Sequence, residues 1–238
     1  MARDLCLKCQ RPINACICTF ICNINNKTSV LVLQHPSEVK QSKGTVALLQ
    51  RSLNSCQVIV GENFSENTEL NKLLITHHAL LLYPSEQAQY IRRVIKDLNV
   101  VPSPINQPKP TLLIIIDGTW KKAYRMFMLS RNLLTLTQVY LPDYLANNGQ
   151  YLIRKVAKKN ALSSLEATCY ALALLEGELD GELEDELNNN LQDKTAIVEK
   201  KQRFDCGLYQ PLLNKFAQFN QFQLSFRKHS SDKLPFRE

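Results

Sequence analysis

Residues 112–116 read Leu-Leu-Ile-Ile-Ile, five branched apolar side chains in a row. In an extended strand successive side chains point to opposite faces, so such a run needs apolar cover on both. A sheet wet on one side would show alternation instead. The run therefore confines the chain to an α/β fold, with helices packed on both faces of a parallel sheet. It also stops abruptly. Asp117, Gly118, Thr119 and Trp120 follow at once, and Trp120 is the only tryptophan of the chain. An acid, a hydroxyl and an indole are thus delivered together to a strand end, the place where open parallel sheets bind ligands.

The same pattern of short apolar runs and amphipathic stretches continues along the chain. It predicts strands at 29–34, 56–61, 78–84, 112–116 and 137–142, and helices at 39–53, 68–76, 85–98, 121–134 and 163–177. Ser85 is the expected cap of the third helix, and Ser163 and Ser164 with Glu166 suit a capped start for the last. The prolines within 100–110 mark an extended linker. His35-Pro36-Ser37-Glu38 ends the first strand and Tyr83-Pro84-Ser85-Glu86 the third, so both turns should converge on Asp117-Gly118-Thr119-Trp120. The acidic stretch 177–187 reads as a surface excursion. Beyond it, one weak helix around 212–222 precedes a polar, basic tail, and no internal repeat is present.

Composition limits the function classes. With 238 residues, 45% apolar and 21% charged, the chain suits a soluble globular protein with one sizeable core. Its first ten residues lack a secretory apolar region, and no apolar run is long enough to cross a bilayer, so no membrane partner and a cytoplasmic location are expected. The net charge of +7 points to a polyanionic partner. Basic residues gather at Lys121, Lys122, Arg125 and Arg131, at Arg154, Lys155, Lys158 and Lys159, and at Lys200, Lys201 and Arg203. Each cluster alone could be a solvated helix face; together, around the candidate site, they favour phosphate contact. A monomer is expected.

Five of the eight cysteines fall in the first 22 residues: Cys6, Cys9, Cys16, Cys18 and Cys22. Disulfides are rare in the expected compartment. The spacing C-x2-C-x6-C-x-C suits four thiolates around one structural Zn2+, with Cys22 able to replace Cys18. A reduced or redox-active cluster is the competing reading. Cys56, Cys169 and Cys206 sit in apolar surroundings and read as core. The resulting organisation is a cysteine module over 1–25, a catalytic domain over 26–190 and a helical extension over 191–238.

Among candidate site residues, His35 at a strand end suits the site wall better than catalysis. His77 and His78 lack a ligand partner at metal spacing. Asp117 does not serve the following helix as cap, because Thr119 is better placed; an Asx-turn that ends the strand is its structural alternative. Gly118 implies either a positive φ or close approach of backbone to a ligand. Motifs of nucleotide-binding dehydrogenases, P-loop enzymes, α/β-hydrolases and zincins are absent.

Asp117-Gly118-Thr119-Trp120 with its apolar strand, the cysteine opening, His35-Pro36-Ser37-Glu38 with Thr45, Tyr83-Pro84, and the Leu141…Tyr151-Leu152-Ile153-Arg154-Lys155…Leu162-Ser163-Ser164 series occur in one order. This series, from residue 6 to about 176, resembles the DTW-domain family, the tRNA-uridine aminocarboxypropyltransferases. Ser164 stands where the family often has Thr, and the segment after 177 shows no resemblance. The resemblance implies a SPOUT-like fold with a trefoil knot. It further implies transfer of the 3-amino-3-carboxypropyl group of S-adenosylmethionine to N3 of a uridine in tRNA, giving acp3U and 5′-methylthioadenosine.

The residues fall into roles on that basis. Asp117 is the candidate general base towards the uridine imide; an ordinary aspartate titrates near ~3.9, so burial is expected to raise it. The resemblance implies cofactor contacts from His35, Pro36, Glu38, Thr45, Tyr83, Pro84, Gly118, Thr119, Trp120, Leu141, Arg154, Ser163, Ser164 and Glu166. Lys121, Lys122, Arg125, Lys155, Lys158 and Lys159 are assigned to tRNA phosphates. Two other readings remain open from sequence: an S-adenosylmethionine-dependent RNA methyltransferase, and a non-catalytic zinc module that binds RNA.

Overall fold

A computed structural model describes residues 4–100, 109–146, 162–179 and 205–231. Six strands form one sheet: β1 Ser29–Gln34, β2 Cys56–Val60, β3 His78–Leu82, β4 Gln89–Tyr90, β5 Thr111–Asp117 and β6 Thr137–Tyr140, in the order β2-β1-β5-β3-β6-β4. Every pairing is parallel. The apolar run is thus the central strand, bonded on one side to β1 and on the other to β3.

The need for cover on both faces is met. Val30, Val32, Leu80, Leu113, Ile115 and Val139 point into one core. Leu31, Leu33, Leu81, Leu112 and Ile114 point into the other. On the first face lie α1 (Val46–Ser52), α3 (Ile91–Val100), α7 (Ser164–Leu175), α8 (Gln210–Ser231) and the cysteine loop. On the second lie α2 (Thr68–Thr76), α4 (Trp120–Leu129) and α5 (Arg131–Leu134). One-turn α6 (Asp143–Ala146) follows β6. Among the described residues no helix is long and apolar enough to cross a membrane.

Several expected elements differ in extent. The helix expected from 39 begins only at Val46, because residues 41–44 form a tight turn closed by Gly44 N–H on the Gln41 carbonyl at 2.9 Å. A side chain at Gly44 would put its Cβ 3.0 Å from that carbonyl oxygen. The helix expected from 85 starts at Ile91 instead, after the two-residue edge strand β4. Ser85 is not its cap; its hydroxyl accepts from Gln87 N within the preceding turn. The helix expected over 121–134 is broken at buried Ser130, whose hydroxyl accepts from Phe64 N at 3.0 Å. The weak helix near 212–222 is the 22-residue α8. Burial of Leu212, Leu213, Phe216 and Phe219 in the first core overrides its polar composition. The proline linker expected over 100–110 lies mostly outside the described residues, as does most of the acidic stretch.

Candidate active site

Three loops meet because their strands are neighbours. Gln34 ends β1 opposite Asp117, the last residue of β5, and Leu82 ends β3 opposite Ile115. His35 N–H then donates to the Asp117 carbonyl at 3.0 Å, carrying the ladder one step past the strands. Pro36–Glu38 forms one 3-10 turn, capped by His35 Nδ1 accepting from Ser37 N at 3.2 Å. Beyond β3, Tyr83 N donates to the Val139 carbonyl, and its ring stacks on Phe127 with centroids 4.6 Å apart. Pro84 and Leu141 follow these paired strands, β3 and β6. Thr119 caps α4, accepting from Lys122 N at 3.4 Å.

Asp117 is half-buried, and both carboxylate oxygens are engaged. Ser164 Oγ donates to Oδ1 at 2.6 Å, and Gln34 Nε2 to Oδ2 at 3.0 Å. Ser164 comes from the first turn of α7, which is fixed by a capping box. Ser163 Oγ accepts from Glu166 N, while Glu166 Oε2 accepts from Ser163 N at 2.9 Å and from Ser163 Oγ at 2.8 Å. Ser163 and buried Glu166 thus hold the helix that aims Ser164. The φ of Gly118 is not positive, so the first of its two expected properties is absent. An added Cβ would lie 3.2 Å from Lys122 Cβ and 3.7 Å from His35 Cβ.

A second polar chain borders this carboxylate. Lys122 Nζ donates to Ser37 Oγ at 2.7 Å and to Glu38 Oε1 at 2.9 Å. Ser37 Oγ lies 2.9 Å from His35 Nδ1, and His35 Nε2 lies 3.4 Å from Glu62 Oε1. Glu62 Oε2 in turn lies 3.6 Å from Arg125 Nε. Lys122, assigned to RNA from sequence, is therefore engaged with the buried Glu38 in the site wall. Trp120 is 49% exposed, and Thr45 is buried at the head of α1. Arg154, Lys155, Lys158 and Lys159 lie outside the described residues. Sequence reasoning passed over Gln34 and Glu62, and named Ser37 only as part of its turn. An amide closing an otherwise buried strand was the available signal for Gln34, since such a group is buried only with a partner.

The cysteine loop gathers a separate set. The sulfurs of Cys6, Cys9, Cys16 and Cys18 lie within 4.8 Å of one another. Cys6 and Cys18 sulfurs are 3.8 Å apart, and those of Cys9 and Cys16 3.7 Å. A tetrahedron with zinc–sulfur bonds of about 2.3 Å has edges of about 3.8 Å, so the residues fit a metal of that kind. The Cys6 thiol is pulled down to about 6 by the backbone N–H groups of Cys9 and Lys8. Cys18 is pushed up to about 12 by desolvation and the neighbouring sulfurs. Four crowded thiols cannot all ionise without a cation among them. Cys22, the possible substitute ligand, is not in the cluster.

The family model for the DTW domain matches residues 3–224. The chain belongs to the DTW-domain family. The family match runs beyond 177 into α8, further than the motifs alone reach. A relative from Macaca fascicularis, "tRNA-uridine aminocarboxypropyltransferase 2", is 34% identical over 180 residues, covering 73% of this chain and 57% of the relative. The protein of the same name from Drosophila melanogaster is 32% identical over 181 residues, covering 73% and 67%. "tRNA-uridine aminocarboxypropyltransferase A" from Arabidopsis thaliana is 29% identical over 132 residues, covering 52% and 50%. This DTW-domain chain thus spans 57% of the length of the Macaca relative that it matches. No solved structure matches it significantly.

Proposed function

We propose that the chain transfers the 3-amino-3-carboxypropyl group of S-adenosylmethionine to N3 of a uridine in tRNA, giving acp3U and 5′-methylthioadenosine. The observation that carries this reading is the Asp117 carboxylate, directed by Ser164 and Gln34 at a strand end beside an exposed indole. The names of the relatives support the same chemistry. Uridine N3 attacks the γ-carbon of the methionyl arm as its proton leaves. The nitrogen–carbon bond forms, the carbon–sulfur bond breaks, and the sulfonium becomes a neutral thioether.

Asp117 receives the proton. Each carboxylate oxygen has two lone-pair sites, so the bonds from Ser164 and Gln34 leave capacity for one. Pairing Asp117 with the sulfonium would favour the ground state, because that charge vanishes during transfer. Choice among the three carbons on sulfur is a matter of orientation. Trp120, Thr119 and the turns at His35–Glu38 and Tyr83–Pro84 are assigned to that pocket, with Arg154 available to the cofactor carboxylate or a phosphate. Lys121, Arg125, Lys155, Lys158 and Lys159 supply salt-sensitive phosphate contacts. Cys6, Cys9, Cys16 and Cys18 hold Zn2+ as a structural cross-link. A SPOUT-like knot, the three-part division at 25 and 190, a monomeric state and a cytoplasmic location complete the reading.

The test is incubation with unmodified tRNA and labelled S-adenosylmethionine, followed by nucleoside mass spectrometry. A mass gain on uridine with release of methylthioadenosine is expected. Release of S-adenosylhomocysteine would turn the reading to methyl transfer, and no gain on uridine would falsify it.

A further inference from the structure

We infer that the exposed face of α4 is a stacking platform for unpaired RNA bases that flank the target uridine. The inference rests on the tRNA-uridine reading of the site. Along α4, Tyr124 and Met128 continue, at every fourth residue, a row that starts at Trp120 of the proposed pocket. Trp120, Tyr124 and Met128 are 49%, 58% and 49% exposed. Beside them Lys121, Arg125 and Leu129 form a second exposed row, while Ala123, Met126 and Phe127 on the opposite side are buried. A helix covering a core normally turns polar side chains outward, so an exposed row of two aromatic rings and a methionine marks an interaction surface.

Its chemistry fits RNA. Aromatic side chains stack on any base, and interleaved cations take up the phosphates. Arg125 approaches Glu62 at 3.6 Å, yet its side chain stays 70% exposed. The reaction also suits such a surface. N3 lies on the pairing edge of uridine, so the base reacts unpaired, and it enters a pocket most readily when splayed from its stack. Its neighbours then lose stacking contacts, and the row starts three residues after Asp117 and runs about 12 Å along the helix. A second copy across a twofold axis would bring the same row against itself, setting Lys121 and Arg125 near their own counterparts.

The experiment uses the full chain and its single tryptophan. Titration with an unmodified tRNA transcript should quench Trp120 fluorescence, and direct binding of that transcript should weaken about tenfold in Tyr124→Ala, the scale of one lost stack. Tyr124→Phe, which keeps the ring, should bind within about twofold of wild type. In turnover, Tyr124→Ala should raise KM for tRNA while kcat and cofactor affinity hold. Absent quenching together with unaltered tRNA affinity of Tyr124→Ala overturns the inference. A change in oligomeric state in Tyr124→Ala by light scattering, with tRNA affinity unaltered, overturns it in favour of a protein partner. Binding and quenching need no turnover, so failure to form acp3U would sink the reaction alone.

Discussion

The carboxyl edge of the sheet and the amino-terminal cysteine loop each assemble reactive side chains, by different means. Asp117 and Gln34 stand side by side because parallel strands β5 and β1 put them in register. Those backbone bonds exist with or without a substrate. The cysteine loop has an isolated bridge from Leu5 to Pro12 and two 3-10 turns, Ile13–Ala15 and Cys18–Phe20. Its four sulfurs are close without any sheet to hold them there. Its packing comes mainly from α8, where Phe20 lies 5.6 Å from Phe219 and 5.4 Å from Phe222. Geometry inherited from a backbone ladder survives the loss of a ligand; geometry gathered around a ligand does not.

The largest expected effect therefore belongs to the metal proposed for the cysteine loop. Chelation, or Cys9→Ser, should unfold the loop and loosen α8 at a cost of several kcal/mol, read as a lower calorimetric melting temperature with release of one Zn2+ per chain; structural zinc in small peptides contributes roughly 10–16 kcal/mol. Cofactor affinity at the sheet edge should change by less than about threefold. Two described links could transmit more: Arg11 Nη1, bonded to the Ser42 carbonyl at 3.0 Å in the loop after the Pro36–Glu38 turn, and Cys22 N, bonded to Ser52 Oγ at the end of α1 at 3.2 Å. Cofactor binding that vanished with the metal would make the two regions one cooperative unit.

Next comes the proposed base. Asp117→Asn keeps size and shape, so the melting temperature should stay near that of the parent while kcat falls about 10²- to 10⁴-fold, the usual worth of a placed general base. Full activity in this variant would remove the proton-transfer role. Ser164→Ala should cost less, about tenfold in kcat, because it deletes one donor to a charged acceptor. Ser164→Thr retains the hydroxyl and should restore most of that loss. Equal losses in the alanine and threonine variants would mean that packing at the head of α7, rather than the bond to Asp117, is what matters.

What could be read in advance follows from the same division. The all-parallel sheet was legible because Leu112–Ile116 needs two apolar faces, and the convergence of three loops follows from it. The capping box was legible because Ser163 and Glu166 are three residues apart. The partner of Gln34 was hidden because Asp117 is 83 residues away, and the pairing depends on strand register. Glu62 follows β2 without any local signal of its approach to His35. The length of α8 was equally hidden: its glutamines and asparagines weaken the helical pattern, and the decisive contacts are made with the distant Phe20. The choice of Cys18 over Cys22 needed the fold of the loop, since both spacings suit a metal.

The smallest effect should come from the opposite edge of the sheet, away from both regions. His78 opens β3 and pairs with Thr111 at the start of β5. Burial, then the nearby Lys109 charge, lowers its pKa below the ordinary value of 6.5. The neutral ring is thus favoured in the folded chain, while the unfolded chain takes up a proton near 6.5. Stability from this group is present above that pH and is lost as pH falls towards the lower folded value. His78 is only partly buried and solvent screens what remains, so the loss should stay below ~1 kcal/mol. His78→Asn should flatten the acid side of the stability–pH curve, measured by urea unfolding from pH 7.5 to 5, with turnover at neutral pH retained. A variant that unfolds on the same pH slope would assign that slope elsewhere. One that also loses turnover would show that the amino edge takes part in setting the site.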